Sequence, residues 1–196
     1  MANESIKGEA HNLSYILATN FGSYYQIPTY QRPYQWTEEN CEKLLDDLFE
    51  NYEYHKKDDY FCGSLVLIAI DTDSETNAET YDVVDGQQRL STFILLAKVL
   101  ATLYNEHLDK TSRDFLEKSL SDTDGEKRKR LTFNTIGLNA KDDFQDALDF
   151  FDNSHASKNN KNNYLKNVKK KRLKILTLSL SGFILRSYLS KPLAPI

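Results

Sequence analysis

The chain has 196 residues and a mass of 22.7 kDa, enough for one domain, or a domain plus an appendage, that buries roughly 70% of its unfolded surface. With 40% apolar, 28% charged and 12% aromatic residues and only 7 Gly and 4 Pro, it is not collagen-like, elastic or wholly disordered. The formal net charge of −4 hides two unlike segments: 1–152 carry 15 basic and 29 acidic residues, or −14, whereas 153–196 carry 10 basic residues and no acid, or +10.

Residues 1–10 hold charges and no apolar stretch of their own, so no secretory signal is visible and a cytoplasmic protein is the default expectation. Residues 11–19 suit a short helix with Leu13, Ile16 and Leu17 inward. Across 24–36, Pro28 and Pro33 hold Ile27 and Arg32 out of the α region, which predicts an extended segment. After Thr37, a plausible N-cap, Cys41, Leu44, Leu45, Leu48, Phe49 and Tyr52 recur at helical spacing, the strongest helix signal in the chain. Residues 60–70 are β-rich, 71–80 form a polar connection and 81–84 a short β-branched run; together they predict adjacent antiparallel strands buried on at least one face. The longest apolar run, 65–70, is six residues, far below the roughly 18 to 20 that cross a bilayer. A second helix is expected over 87–107, presenting Leu90, Phe93, Ile94, Ala97, Ala101 and Tyr104, and a third over 141–151 with Phe144, Leu148 and Phe151 on one side. This pattern is α+β, with helices leaning on a small sheet. Two cysteines, Cys41 and Cys62, make no disulfide framework and fit a reducing compartment.

The expected domain spans 1–152, followed by a basic, acid-free tail over 153–196. The cluster Lys166, Lys169, Lys170, Lys171, Arg172 and Lys174 fits a basic arm for a phosphate-rich partner such as DNA. It fits a solvated helix face or frayed end equally. A third reading makes the stretch from Thr177 foreign to the domain, as a truncated or frame-shifted end would be.

Two short stretches carry the chemistry. The first is Y-D-V-V-D-G-Q-Q-R-L-S-T over 81–92: a strand, a tight acidic-glycine turn and a helix start. A helix beginning there aims unpaired N–H groups and its positive dipole end at whatever lies above Gly86. Arg89 sits where the dipole disfavours a cation, and a bound phosphate would offset that. Asp85 could then hold a hydrated Mg²⁺ or orient an attacking water, and Gln87 and Gln88 could bind ribose, base or phosphate. The plain alternative is a capped turn in which Asp85 caps the helix and Arg89 pairs with a nearby carboxylate. The second stretch is I-P-T-Y-Q-R-P-Y-Q-W over 27–36. In an extended chain Tyr30, Arg32, Tyr34 and Trp36 share one side, with Gln31 and Gln35 on the other, either as a seat for a base and its phosphates or as an ordinary core edge.

Together the two stretches resemble the N-terminal domain of the GmrSD-type modification-dependent restriction endonucleases, the GmrS-like group with a ParB/sulfiredoxin-like fold. Its marks are I-P-x-Y-Q-R-x-Y-x-W and a later D-G-Q-Q-R-L-[ST]-T, and both stand here unbroken. Between them F-C-G-S-L over 61–65 looks like the family's F-x-G-S strand. The resemblance is close over about 10–110, thins to about 150 and fades beyond. It implies an α+β domain with a small mixed or antiparallel sheet that binds and hydrolyses a nucleotide, licensing cleavage of foreign DNA with modified bases. On that reading Asp85 and Arg89 are catalytic and Asp85 is the metal ligand. Gln31, Arg32, Tyr34, Trp36, Gly86, Gln87, Gln88 and Thr92 bind the nucleotide. Lys169, Lys170, Lys171 and Arg172 are the DNA contacts expected from charge, on the alternative reading of a DNA-binding module. The implied cofactors are Mg²⁺ and an NTP, with GTP, ATP, UTP and CTP not distinguished.

The full-length relatives add a nuclease half of the His-Asn-His type, for which this chain is too short. His11, His55, His107 and His155 are scattered, so a nuclease domain or subunit is expected from another chain. No G-x-x-x-x-G-K-[ST] is present, so any nucleotide is held without a P-loop. The competing expectations are a DNA-binding module without catalysis and an inactive fragment of a restriction gene.

Overall fold

The computed structural model describes residues 7–19, 23–54, 59–75, 77–103, 105–121 and 128–134, together with 144, 147 and 148. Helical periodicity sets its frame. α1 (Glu38–Tyr54) starts after Thr37, whose carbonyl accepts the Cys41 N–H at 3.2 Å and whose own N–H donates to the Asn40 side chain at 2.9 Å. Cys41, Leu44 and Leu45 are buried along its inner face, as their spacing predicts. α2 (Gln87–Leu103) is the central helix. Besides Leu90, Phe93, Ile94 and Ala97, it buries Leu95 and Val99 completely, so neighbours cover more than one side of it. A 3₁₀ turn, Asn105–His107, follows; Tyr104 lies outside the described residues.

The segment 11–19 is helical from residue 13, ending in a π-helical turn, Tyr15–Thr19, with Leu17 fully buried and Leu13 and Ile16 partly so. α3 (Lys110–Leu120) was not expected from the apolar pattern. Asp109 caps it by accepting the Ser112 N–H at 2.7 Å, and two of its four buried residues are serines, Ser112 and Ser119. Of the helix expected over 141–151, only 144, 147 and 148 are described; Phe144 and Ala147 are buried, and the Phe144 ring lies 4.8 Å from that of Phe133.

The sheet has four strands, β1 (Tyr24–Ile27), β2 (Val66–Thr72), β3 (Glu79–Asp85) and β4 (Leu131–Phe133), in the order β2-β3-β1-β4. β2 and β3 pair antiparallel, as expected, whereas β1 is parallel to both β3 and β4, so the sheet is mixed and the fold α+β. Tyr25, Ile27, Val83, Leu131 and Phe133 join the helices in one core. Two expectations need correction. The extended segment 24–36 is a strand only over its first four residues, because the chain turns at Thr29–Tyr30, where the Gln31 N–H reaches the Pro28 carbonyl at 3.1 Å. β2 is an edge strand buried less than expected: Leu67 packs partly against the core, but Val66, Ile68 and Ile70 stand 44%, 54% and 45% exposed. Among the described residues no helix is long and apolar enough to cross a membrane.

One buried cation fastens the helices to the sheet. Arg130, 4% exposed, donates from Nε and Nη2 to the Lys118 carbonyl at 3.1 and 3.0 Å and from Nη1 to the Ser23 carbonyl at 2.6 Å. Lys118 lies in the last turn of α3, where the dipole favours a positive charge, and Ser23 immediately precedes β1. Replacing Arg130 by Met leaves both carbonyls without this donor, and urea denaturation should show a loss of about 3 kcal/mol.

Candidate functional site

β3 ends at Asp85 and α2 begins at Gln87, so the chain reverses from strand to helix on Gly86 alone. Gly86 has φ +92°, and a Cβ there would lie 2.9 Å from the Ser64 carbonyl oxygen, a contact with rigid backbone. Its carbonyl accepts the Leu90 N–H at 3.0 Å, making Gly86, not Asp85, the N-cap. Asp85 pairs in the sheet with Val66, and its side chain is exposed. The backbone N–H groups of Gln87, Gln88 and Arg89 have no acceptor among the described residues.

Above this helix start lies an open cleft of about 460 Å³. Gln31, Arg32 and Trp36 line it from the first stretch, and every residue from 85 to 89 lines it from the second. Carboxamides join the two. Gln88 Oε1 accepts the backbone N–H groups of Gln35 and Trp36 at 2.8 and 3.2 Å, and its Nε2 donates to the Pro33 carbonyl at 3.3 Å. Gln87 Nε2 donates to the Arg32 carbonyl at 3.0 Å and to Gln31 Oε1 at 3.1 Å, while Gln31 Nε2 donates to the Val84 carbonyl at 2.5 Å. A loop without strand partners is thereby held by the first turn of a helix.

Neither cleft arginine meets a carboxylate among the described residues. Arg89 Nη2 donates to the Ser64 carbonyl at 2.6 Å, and Arg32 Nη1 to Gln35 Oε1 at 3.2 Å; among the described residues neither forms an ion pair. The carboxylate partner that the plain alternative gives Arg89 is not found among the described residues, where a backbone carbonyl takes that place. The guanidinium lies against Gly63, φ +99°, where a Cβ would sit 2.6 Å from its Cζ. Beside it, burial pushes the Cys62 thiol pKa up, and the Arg89 charge pulls the other way. Two guanidinium charges, one carboxylate and a helix N-terminus thus meet in one cleft, a net positive patch on a segment whose formal charge over 1–152 is −14.

Eight of the ten residues expected around a nucleotide line this cleft. Tyr34 and Thr92 do not: both are buried, with Tyr34 Oη 2.7 Å from Thr92 Oγ1 and 3.6 Å from Cys41 Sγ. The expected two-sided alternation of 30–36 also fails, since Tyr30 is 63% exposed and Tyr34 is buried. Lys169, Lys170, Lys171 and Arg172 lie outside the described residues. Gly63 and Ser64, which shape the wall behind Arg89, were visible beforehand only as part of the F-C-G-S stretch; residues 60–65 precede β2 and are not themselves a strand.

Gly86→Ala should lower stability by about 2 kcal/mol in urea denaturation, since it combines a left-handed φ with a clash against the Ser64 carbonyl. A neutral result would mean that the turn relaxes easily.

No curated protein matches the chain. The family model for the GmrSD restriction endonuclease, N-terminal domain, matches residues 14–190, a span that includes all three stretches around the cleft and runs on through the basic cluster. The chain therefore belongs to the GmrSD N-terminal domain family and is a restriction-system domain.

Proposed function

We propose that the cleft binds a nucleoside triphosphate and that this domain hydrolyses it, as the regulatory part of a modification-dependent DNA restriction system of phage defence whose nuclease is supplied by another domain or chain. The carrying observation is the convergence of Arg32, Arg89 and the open N–H groups of the α2 start on one cleft, with no carboxylate paired to either arginine among the described residues. A triphosphate is a compact anion that answers this arrangement: guanidinium forks match phosphate oxygens, and helix N–H groups add aligned donors. A small anion also suits a local positive cleft in an acidic segment better than a long polyanion does, because the surrounding charge of 1–152 repels extended DNA. Trp36 gives the rim a flat aromatic surface for a base.

Asp85 fits the metal that accompanies such a ligand. Mg²⁺ is commonly held by one or two carboxylates together with substrate phosphates and waters, and the exposed Asp85 carboxylate supplies one such group at the cleft. When bound, Mg²⁺ would neutralise charge on the phosphates. The protein's own contribution is positioning: Arg89 is held by Ser64, Arg32 rides on a loop fixed by Gln87 and Gln88, and both present charge to the same space. This reading suits a cytoplasmic chain, where nucleotides are plentiful.

At a nucleotide concentration 100-fold above Kd, binding should stabilise the domain by about 2.7 kcal/mol, a rise in Tm of about 5–10 °C. Thermal melts with GTP, ATP, UTP and CTP plus Mg²⁺ test this, with phosphate release measured in parallel for hydrolysis. Arg89→Ala should abolish the shift while its ligand-free Tm reports any structural loss. Absence of a shift with all four nucleotides would overturn the reading.

A further inference from the structure

Beside the cleft, Gln87 carries a buried side-chain acceptor that no donor among the described residues reaches. Gln87 is 6% exposed and lines the cleft. Its amide orientation is fixed by its neighbours: Nε2 faces the Arg32 carbonyl, which can only accept, and Gln31 Oε1, which accepts because Gln31 Nε2 is engaged with the Val84 carbonyl. Both Gln87 amide hydrogens are occupied, and Oε1 has no donor among the described residues. The adjacent Gln88 differs, since its Oε1 already takes two backbone N–H groups. A buried carbonyl with both lone pairs open repels anionic oxygens and attracts an O–H or N–H. Phosphates belong to Arg32, Arg89 and the helix N–H groups; the carbonyl calls for a different part of the ligand.

We infer that Gln87 Oε1 reads a hydrogen-bond donor on the nucleoside part of the ligand, a ribose hydroxyl or a base N–H, so that Gln87 sets selectivity for a nucleoside triphosphate over bare polyphosphate. This rests on the nucleotide-binding reading above and adds to it the residue that distinguishes ligands.

Calorimetric titration of wild type, Gln87→Met and Gln31→Met with each of the four ribonucleoside triphosphates and with inorganic tripolyphosphate, all with Mg²⁺, separates the roles. Wild type should bind at least one nucleotide about 10-fold or more tighter than tripolyphosphate. Gln87→Met loses the contacts to Arg32 and Gln31 as well as the open carbonyl, so both ligands should weaken, the nucleotide by the larger factor, which brings the ratio close to 1. Gln31→Met disturbs the same network without removing the open carbonyl and should weaken both ligands together, keeping the ratio. Equal losses for both ligands in Gln87→Met, or an unchanged ratio, would overturn the inference and leave Gln87 a support residue. The wild-type ratio decides even if the variants fail to fold: equal binding of nucleotide and tripolyphosphate sinks this inference alone. Binding of neither sinks the nucleotide site itself. Matched 2′-deoxynucleotides distinguish the sources, because a deoxy analogue that keeps full affinity points to a base N–H or the 3′ hydroxyl and a weakened one to the 2′ hydroxyl.

Discussion

Two adjacent glutamine side chains at the start of α2 hold the site together. The stretch 28–36 has no strand or helix of its own, so its backbone polar groups need partners from elsewhere. Gln87 and Gln88 supply them, reaching the Arg32 and Pro33 carbonyls and the Gln35 and Trp36 N–H groups. A carboxamide suits this task because it donates and accepts without carrying charge, so it can be buried beside guanidinium groups without drawing either into an ion pair. Arg32 and Arg89 therefore keep their charge directed at the cleft. A glutamate in either position would neutralise that field from within.

The geometry of the reversal at Gly86 is the second requirement. A left-handed residue between β3 and α2 points the first turn of the helix back over the end of the sheet, where the chain just before β2 meets it. The packing there leaves no room for a side chain on Gly86, and the same closeness brings the Ser64 carbonyl within reach of Arg89. Strand end, helix start and the segment 63–65 thus form one corner, and the 31–36 loop closes it. Local sequence, packing and charge agree on a single place in the fold.

Much of this was readable in the residues, and the reasons for the rest are physical. α1 announced itself through Cys41, Leu44 and Leu45 at helical spacing, and the β2–β3 pair through two β-rich runs around a polar connection. α3 hid because Ser112 and Ser119 occupy inward positions, so its apolar stripe is interrupted. β4 is three residues long and exists through pairing with β1, over 100 residues earlier, which no local pattern records. At the candidate site, residue types singled out two stretches that the fold brings to one cleft, but not how their side chains are arranged there. Tyr34 and Thr92 look like ligand contacts by composition, yet their hydroxyls meet each other under the cleft, since side-chain direction in an irregular loop follows turns and hydrogen bonds and not a period of two. Likewise nothing in a Gln-Gln pair reveals that one carbonyl is saturated and its neighbour open; that depends on which backbone groups the folded loop brings near.

The contact between Gly63 and Arg89 ties two distant positions into one unit of inheritance. The guanidinium rests in the space a Cβ at residue 63 would fill, so a side chain introduced there, already strained by the left-handed φ, forces the arginine to shift. A relative with a larger residue at the first position should therefore hold the arginine at the second differently. Across a lineage the pair should change together or stay fixed together, and a single replacement at either one marks a descendant in which this corner serves some other purpose.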